Sequence, residues 1–415
     1  MFVRRDKLLQ QIEETVSLVP ITVLIGARQV GKTTLLKNLT LHKTSLYLVG
    51  QDPDVASLFT KVTTIENYLK INLHHELDGF LLLDEFQFIH DISTTLKLLT
   101  DLHPKLKIIC SGSSSLDIIQ RVEESLAGRV HIIDVYSLSF SEYLRFQSEE
   151  LFTLFNKYDK NANDAIVDSK IKYFFEEYLI FGGLPRIALT KGEQPKIQLL
   201  DDIYKTYLLR DVRSYIKNED AVGFNKLLVM LASQIGNMIN IHELANTTGL
   251  AYRKCEDYIF LLEQMFIIKL VQPFFTNKRK VISKMKKVYF TDIGLRNIIF
   301  ANFMKPDNRT DAGAIFENFV FLELMRKIPS YAKIYYYRTQ DGSEVDFLID
   351  DLKSKFAVET KYKSLTKTIR LKNLIGLQAI EKIAKSFVVN KNLNASEEKT
   401  IFVQGYLTDK IELIS

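Results

Sequence analysis

Gly26-Ala27-Arg28-Gln29-Val30-Gly31-Lys32-Thr33 is a complete G-x-x-x-x-G-K-T stretch, and its flanks decide how it folds. Ile21-Thr22-Val23-Leu24-Ile25 before it reads as a buried strand, and Thr33 to Leu39 after it as a helix. A strand, a glycine turn and a helix in that order give the pattern a physical meaning. The glycines let the backbone close around phosphate oxygens, while successive N–H groups and the helix start face the anion. Gly26, Ala27, Arg28, Gln29, Val30, Gly31, Lys32, Thr33 and Thr34 are therefore the expected nucleotide-binding set. Lys32 is expected at the β- and γ-phosphates of ATP, and the Thr33 hydroxyl on Mg²⁺.

A second stretch extends the first. Phe80-Leu81-Leu82-Leu83-Asp84-Glu85 is an apolar run ending in two carboxylates, about 50 residues after the loop. A buried strand does not hold charges in its middle, so they belong at its C-terminal end, where parallel α/β sheets bind ligands. Asp84 is expected to support Mg²⁺. Glu85 is expected to polarise the attacking water, because phosphoryl transfer needs an oriented nucleophile more than covalent chemistry.

The whole chain sets limits on these readings. At 415 residues it has room for two or three domains. Its 47 % hydrophobic and 25 % charged residues exclude a disordered or fibrous protein. The net charge of +5 is mild, so any basic surface is local. Cys110 and Cys255 are too few for a disulfide framework and read as core residues. The N-terminus lacks the apolar run of a signal peptide, and no uncharged apolar stretch reaches 18 residues. A cytoplasmic location without membrane contact is the expectation.

Residues 1–150 alternate strand and helix, with strands expected at 21–25, 45–49, 80–84, 106–110 and 131–135. That is the pattern of a parallel sheet covered on both faces. The fourth strand runs into Cys110-Ser111-Gly112-Ser113-Ser114-Ser115, where Ser113, with Ser111 close behind, stands ready to sense a γ-phosphate. A serine-rich turn is the equal alternative. Arg129, in Leu126-Ala127-Gly128-Arg129, has the chemistry to stabilise transition-state charge, in its own subunit or a neighbouring one; a surface salt bridge is the competing reading. Residues 151–220 read as a helical lid containing Phe181-Gly182-Gly183-Leu184-Pro185-Arg186; Arg186 and Arg210 either approach the nucleotide from the lid or form structural ion pairs, the favoured reading.

Residues 221–290 read as a winged helix. Asn240 and Glu243 have capping-box spacing, Gly249 makes a turn, and Cys255, Tyr258, Ile259 and Leu262 form one apolar helix face. Six basic residues and no acid lie between Lys278 and Lys287, a charge pattern that suits DNA. A solvated hairpin accounts for it equally well.

Residues 291–415 carry a second chemical signal. Glu344 and Asp346 share one face of a strand, and Glu359 and Lys361 share one face of the next. If the strands are neighbours, Asp346, Glu359 and Lys361 converge, with Glu317 joining from the helix before them. Two carboxylates can hold a second divalent metal, which lowers the pKa of its bound water, and a lysine can orient that water. This is the D…E-x-K logic of phosphodiester hydrolysis, with Glu359 13 positions after Asp346.

With these stretches in hand, the chain resembles the prokaryotic AAA-type ATPases that carry a C-terminal domain of unknown function with a restriction-endonuclease-like core. The resemblance rests on Gly26–Leu35, Leu81–Gln87, Ser111–Ser115, Leu126–Arg129, Leu138–Leu144, Phe181–Pro185, Leu209–Val212, Lys287–Leu295, Phe316–Phe319, Arg338–Leu348 and Glu359–Lys361. It implies an α/β protein: a P-loop AAA-type parallel sheet (1–150), a helical lid (151–220), a winged-helix region (221–290) and a restriction-endonuclease-like α/β domain (291–415). Thr360 departs from the pattern, since such cores often carry an apolar residue between the glutamate and the lysine. The expected activity is Mg²⁺-dependent ATP hydrolysis, associated with DNA and with a homo-oligomer. The C-terminal site either cuts nucleic acid or serves a regulatory switch without catalysis of its own.

Overall fold

The computed structural model describes residues 3–39, 43–73, 76–113, 126, 128–157, 165–274, 285–339 and 342–413, with the side chains of 209–211, 213 and 214 left out. Contacts divide the chain into two compact units. One is Met1–Tyr136 with Gln264–Phe266; the other is Ser137–Glu263 with Ile267–Ser415. The segments 151–220, 221–290 and 291–415 thus fall almost entirely within one unit.

The first unit is built on a five-stranded parallel sheet in the order β2-β3-β4-β1-β5. The strands are β1 (Ile21–Gly26), β2 (Ser45–Val49), β3 (Phe80–Asp84), β4 (Lys107–Ser113) and β5 (Val130–Asp134). Every residue of β1 is buried, as a strand with helices on both faces requires. Val23, Leu81, Leu83, Ile108 and Cys110 form the centre of the core, so Cys110 is the core residue its neighbours implied. β4 runs three residues beyond the expected end. Its partner β1 supplies ladder positions as far as Gly26 opposite Ser113, which draws Ser111 and Ser113 into the strand rather than a turn.

Helices Phe140–Gln147, Glu149–Lys157, Ala165–Phe181, Pro185–Leu189 and Glu193–Ile203 open the second unit, and Tyr204–Asp211 continues as a π-helix. Three more helices follow, Ala221–Ser233, Ile241–Thr248 and Tyr252–Gln264. The face of Cys255, Tyr258, Ile259 and Leu262 is buried as its spacing indicated. Asn240 caps its helix by accepting from the His242 and Glu243 N–H groups, a one-sided cap. The reciprocal capping box is instead at Ser139 and Glu142.

The remaining strands form one eight-stranded sheet, β12-β13-β11-β10-β9-β8-β6-β7. They are β6 (Ile268–Pro273), β7 (Lys287–Phe290), β8 (Lys333–Arg338), β9 (Glu344–Asp350), β10 (Lys355–Lys361), β11 (Ile383–Asn390), β12 (Ala395–Glu397) and β13 (Thr400–Gln404). The antiparallel pair β6–β7, which the sequence assigns to a wing, is continuous with this sheet through parallel pairing of Gln272 with Tyr335 and Pro273 with Tyr336. The outer strand β7 is fully buried. A buried strand edge needs partners for its backbone groups: residues 236–239 pair with it at Lys286–Val288, and Asn318 serves Phe290, its Oδ1 accepting from Phe290 N–H at 2.7 Å and its Nδ2 donating to Phe290 O at 2.9 Å.

Two sequence stretches interlock inside this unit. Asp292 accepts from Gly183 N–H at 2.9 Å and from Leu295 N–H at 3.0 Å. A Cβ on Gly294 would lie 2.0 Å from Phe181 O, so only glycine permits this approach. The Phe181–Pro185 loop is therefore a docking element for the turn at Asp292–Leu295.

Candidate functional site

The phosphate loop leaves the C-terminal end of β1 and enters helix Lys32–Lys37. Gly31 has φ +96°, a left-handed conformation that glycine adopts without a Cβ penalty, and Gln29 shares that region at φ +64°. Val30 is buried, Arg28, Gln29 and Thr34 are exposed, and Ala27 and Thr33 are half-buried. The ammonium group of Lys32 turns into the loop and donates to Gly26 O and Ala27 O, both at 2.8 Å. Burial lowers its pKa to about 8 against the opposing pull of Glu85 and Asp84, which marks all three as one electrostatic group. Arg5, outside any sequence motif, donates to Val30 O at 3.3 Å and to Tyr136 O at 3.1 Å, bracing the loop from behind.

The carboxylates lie at the same sheet edge. Asp84 ends β3, opposite Ser111 of β4 and Val49 of β2. The Tyr47 hydroxyl donates to Asp84 Oδ2 at 2.9 Å and Ser111 Oγ donates to Oδ1, so both oxygens are oriented. Glu85 sits just past the strand at φ +50°, a strained backbone for a non-glycine residue. Gln87 Nε2 donates to Glu85 Oε2 at 2.5 Å and to Ser113 Oγ at 3.0 Å. The Gln87 Oε1 atom is buried with no hydrogen-bond partner. Gln87, Tyr47 and Arg5 are contributions that sequence reasoning missed. Gln87 stands two residues from Glu85 and was the most accessible of the three to pattern reading.

Arg129 is elsewhere. Its backbone carbonyl accepts from Ile21 N–H at the opposite end of β1. Five residues of strand separate the two edges, about 16 Å at about 3.3 Å per residue. Its guanidinium forms a two-pronged, partly exposed pair with Asp101, at 2.8 and 3.2 Å. Within one chain the structure does not bring Arg129 to the loop, and the salt-bridge reading describes its contacts. Arg186 is exposed on helix Pro185–Leu189, and the Arg210 side chain lies outside those described.

The second cluster is in the C-terminal sheet. β9 and β10 are antiparallel neighbours, the condition for the D…E-x-K residues to meet. Asp346 Oδ2 accepts from Thr360 N–H and from Thr360 Oγ1, both at 2.7 Å. The hydroxyl at this unusual centre residue thus holds the aspartate. Lys361 donates to Glu359 Oε1 at 2.5 Å. Burial, reinforced by the charge of Asp346, raises the pKa of Glu317 to about 7 and that of Glu359 to about 7. Glu317, on helix Ala312–Lys327, accepts from the Tyr289 hydroxyl at 2.6 Å and from Lys287 at 3.1 Å. Lys287 also pairs with Glu344 at 2.6 Å.

Two expectations change here. Lys287, counted with the basic run, is a buried cation only 2 % exposed rather than a surface charge; Lys278, Arg279, Lys280 and Lys284 lie outside the described residues. Its buried strand partner and helix cover explain the difference. Second, among the described residues no group of three His, Cys, Asp or Glu side chains has the geometry to hold a metal ion. Glu317, Asp346 and Glu359 are electrostatic neighbours, and Tyr289 with Lys287, Thr360 and Lys361 each donate to one oxygen of these three carboxylates in turn.

Residues 19–144 match the family model described as an AAA domain. Residues 173–305 and 312–406 match two domains of unknown function (DUF8612 and DUF4143). An uncharacterised protein of Mycobacterium tuberculosis is 23 % identical over 369 residues, covering 88 % of this chain and 75 % of that protein. Another, from Methanocaldococcus jannaschii, is 28 % identical over 344 residues, covering 80 % and 73 %. A Walker-type ATPase of Pyrococcus abyssi superposes with a TM-score of 0.49 at 13 % identity, over 72 % of this chain and 96 % of that one. No described helix is long and apolar enough to cross a membrane.

Proposed function

We propose that the protein hydrolyses ATP with Mg²⁺ at the loop of residues 26–34. The observation that carries this is the meeting of Lys32, Asp84, Glu85 and Ser113 at one sheet edge, fixed by the register of Gly26 with Ser113 and of Asp84 with Ser111. Lys32 binds the β- and γ-phosphates. Thr33 and Asp84 hold Mg²⁺, with Tyr47 and Ser111 fixing the direction of the Asp84 carboxylate. Mg²⁺, when bound, neutralises charge on the phosphates. Glu85 orients the attacking water, Gln87 orients Glu85, and Ser113 reads the γ-phosphate. Replacing Glu85 by Gln keeps the shape and removes the charge, so Glu85→Gln retains ATP binding and loses turnover. Wild-type turnover in that variant overturns the assignment. A role for Arg129 requires a second copy of the chain, and an active monomer excludes it.

For the second unit we infer a winged-helix-like region and a restriction-endonuclease-like core associated with DNA. Support comes from three helices followed by the β6–β7 hairpin, and from a helix, three antiparallel strands, a second helix and a parallel strand in succession from Ala312 to Asn390. A second reading, a switch whose core binds without cutting, is favoured by the protein donors on its carboxylates. Incubating single- and double-stranded DNA with Mg²⁺ or Mn²⁺ separates them. Cleavage lost in both Asp346→Ala and Lys361→Ala establishes the nuclease. Intact DNA with working ATP hydrolysis leaves the switch.

A further inference from the structure

We propose that Gln87 is a positioning residue that couples detection of the γ-phosphate by Ser113 to the hold of Glu85 on the attacking water. The inference rests on the reading of residues 26–34 as a site of ATP hydrolysis and deepens it. A single amide nitrogen serves both groups.

The nitrogen of a side-chain amide carries two hydrogens and only donates. Gln87 uses both: Nε2 donates to Glu85 Oε2 at 2.5 Å and to Ser113 Oγ at 3.0 Å. Each bond sets the role of its partner. A hydroxyl that accepts from an amide keeps its own hydrogen to donate. Ser113 is thereby set as a donor, which suits a γ-phosphate whose ionised oxygens only accept. A carboxylate with one oxygen taken by a donor keeps the other for a water proton, so Glu85 is left with Oε1. When a γ-phosphate takes the Ser113 hydrogen, Oγ becomes a stronger acceptor for the amide, because hydrogen bonds in a chain polarise one another. Gln87 is then held more firmly, and Glu85 with it. ADP has no γ-phosphate and leaves the chain of bonds open at that end.

The backbone around the amide is shaped to hold it. Gln87 lies in the short 3₁₀ turn Phe86–Phe88, which starts at the left-handed Glu85. The turn brings its side chain back over β4. There a Cβ on Gly112 would lie 2.5 Å from Gln87 Oε1 and 2.9 Å from Phe86 Cε1, inside van der Waals contact. Glycine at 112 therefore makes room for the amide, a use the Ser-Gly-Ser stretch did not reveal by itself. Gln87 Oε1 is buried in that seat with no hydrogen-bond partner among the described residues. A buried acceptor left unpaired costs free energy, and an apolar side chain would fill the same space without that cost. The fully engaged nitrogen, not packing, is what a glutamine contributes here. Three successive residues of β4 thus divide the work: Ser111 donates to Asp84, Gly112 seats Gln87 and Ser113 accepts from it.

Two measurements on the full chain test the coupling: steady-state phosphate release from ATP, and affinity for the non-hydrolysable analogue AMP-PNP beside ADP. Gln87→Met keeps the length and removes the amide hydrogens. It is expected to lower kcat by about 10- to 100-fold, the loss of a hydrogen bond to a charged group, with KM within about 3-fold of wild type. Its preference for AMP-PNP over ADP falls by about 5-fold while ADP affinity holds. Double variants locate the effect. Gln87→Met/Ser113→Ala matches Ser113→Ala in nucleotide preference, and Gln87→Met/Glu85→Gln matches Glu85→Gln in kcat. Gln87→Glu is the second variant, should Gln87→Met not fold. It keeps the shape and loses the donors, and its rate relative to wild type recovers as pH falls, because a protonated carboxyl regains one hydrogen to donate. Independent losses in the double variants, equal losses of AMP-PNP and ADP affinity, or faster turnover in Gln87→Met overturn the coupling. A wild type that binds ATP and releases no phosphate overturns the hydrolysis reading instead. The nucleotide preferences of Gln87→Met, Ser113→Ala and their double variant then still decide whether Gln87 acts through Ser113.

Discussion

The nucleotide loop and the C-terminal carboxylate cluster both gather carboxylates around a buried lysine, but they are assembled in different ways. At the loop, Lys32 is held by carbonyl oxygens of its own turn, only five and six residues away. The carboxylates arrive on a strand whose register is fixed by parallel pairing. At the C-terminal cluster, Lys287 comes from one strand, Glu317 from a helix and Glu344 from another strand, so tertiary packing alone brings them together. Lys32 leaves Asp84 and Glu85 to hydroxyl and amide donors, whereas Lys287 pairs directly with carboxylates. The first site has its carboxylates oriented by neutral donors; in the second, a buried ammonium group neutralises Glu317 and Glu344.

The sharpest way to break this comparison is to remove Lys32. On the proposed role of Lys32, Lys32→Ala deletes charge-assisted contacts to the β- and γ-phosphates worth about 1.5 kcal/mol each, so ATP affinity falls by about 100-fold in a calorimetric titration. Retained affinity would mean that the loop does not use its lysine. The frame of the second unit should respond next. Gly294→Ala forces a methyl group against Phe181 O, and the thermal or denaturant transition should shift by about 1–3 kcal/mol; an unchanged transition would show that the two stretches do not interlock. Thr360→Val is a finer probe of the cluster. It removes the hydroxyl bond to Asp346 and keeps the backbone one, for a loss of about 1 kcal/mol in the same transition.

The smallest effect concerns Asp292, whose carboxyl burial holds above its ordinary value of 3.8 against the pull of the Gly183 and Leu295 N–H groups. Its pKa is higher folded than unfolded, so the folded state binds the proton more tightly. Its contribution to stability is fullest below pH 3.8 and declines as pH rises from there through the folded value. The gain of melting temperature with rising pH in that window should therefore be larger in Asp292→Asn, because a contribution that declines with pH is gone. An unaltered slope would remove Asp292 from the account of this turn.

The N-terminal unit was legible because its information is local. The residues of 26–33 are contiguous, Asp84 and Glu85 close one apolar run, and the alternation of strand and helix gave the five strands to within a few residues. Gln87 and Tyr47 were not legible in the same way. A glutamine and a tyrosine have many surface uses, and only the folded sheet sets them against Glu85 and Asp84. In the second unit, strand period 2 found Asp346, Glu359 and Lys361, because antiparallel neighbours follow from short connections. Lys287 was misread for a physical reason. Charge counting over 278–287 treats all lysines alike, whereas the flanking Val288-Tyr289-Phe290 makes this one part of a buried strand. Arg129 shows the opposite limit: nearness in sequence to Ser113 says nothing about which end of the sheet it occupies.

The claim at the centre of this account is that the loop of residues 26–34 turns over ATP, with Glu85 directing water. Phosphate release from ATP by the full chain, with Mg²⁺ and with chelator, measured beside nucleotide binding for wild type and Glu85→Gln, tests it most directly. The account predicts Mg²⁺-dependent release by wild type, and a variant that binds ATP while its turnover falls by about 10²–10⁴-fold. Release at the wild-type rate by Glu85→Gln, or none by a wild type that binds ATP and Mg²⁺, would contradict it.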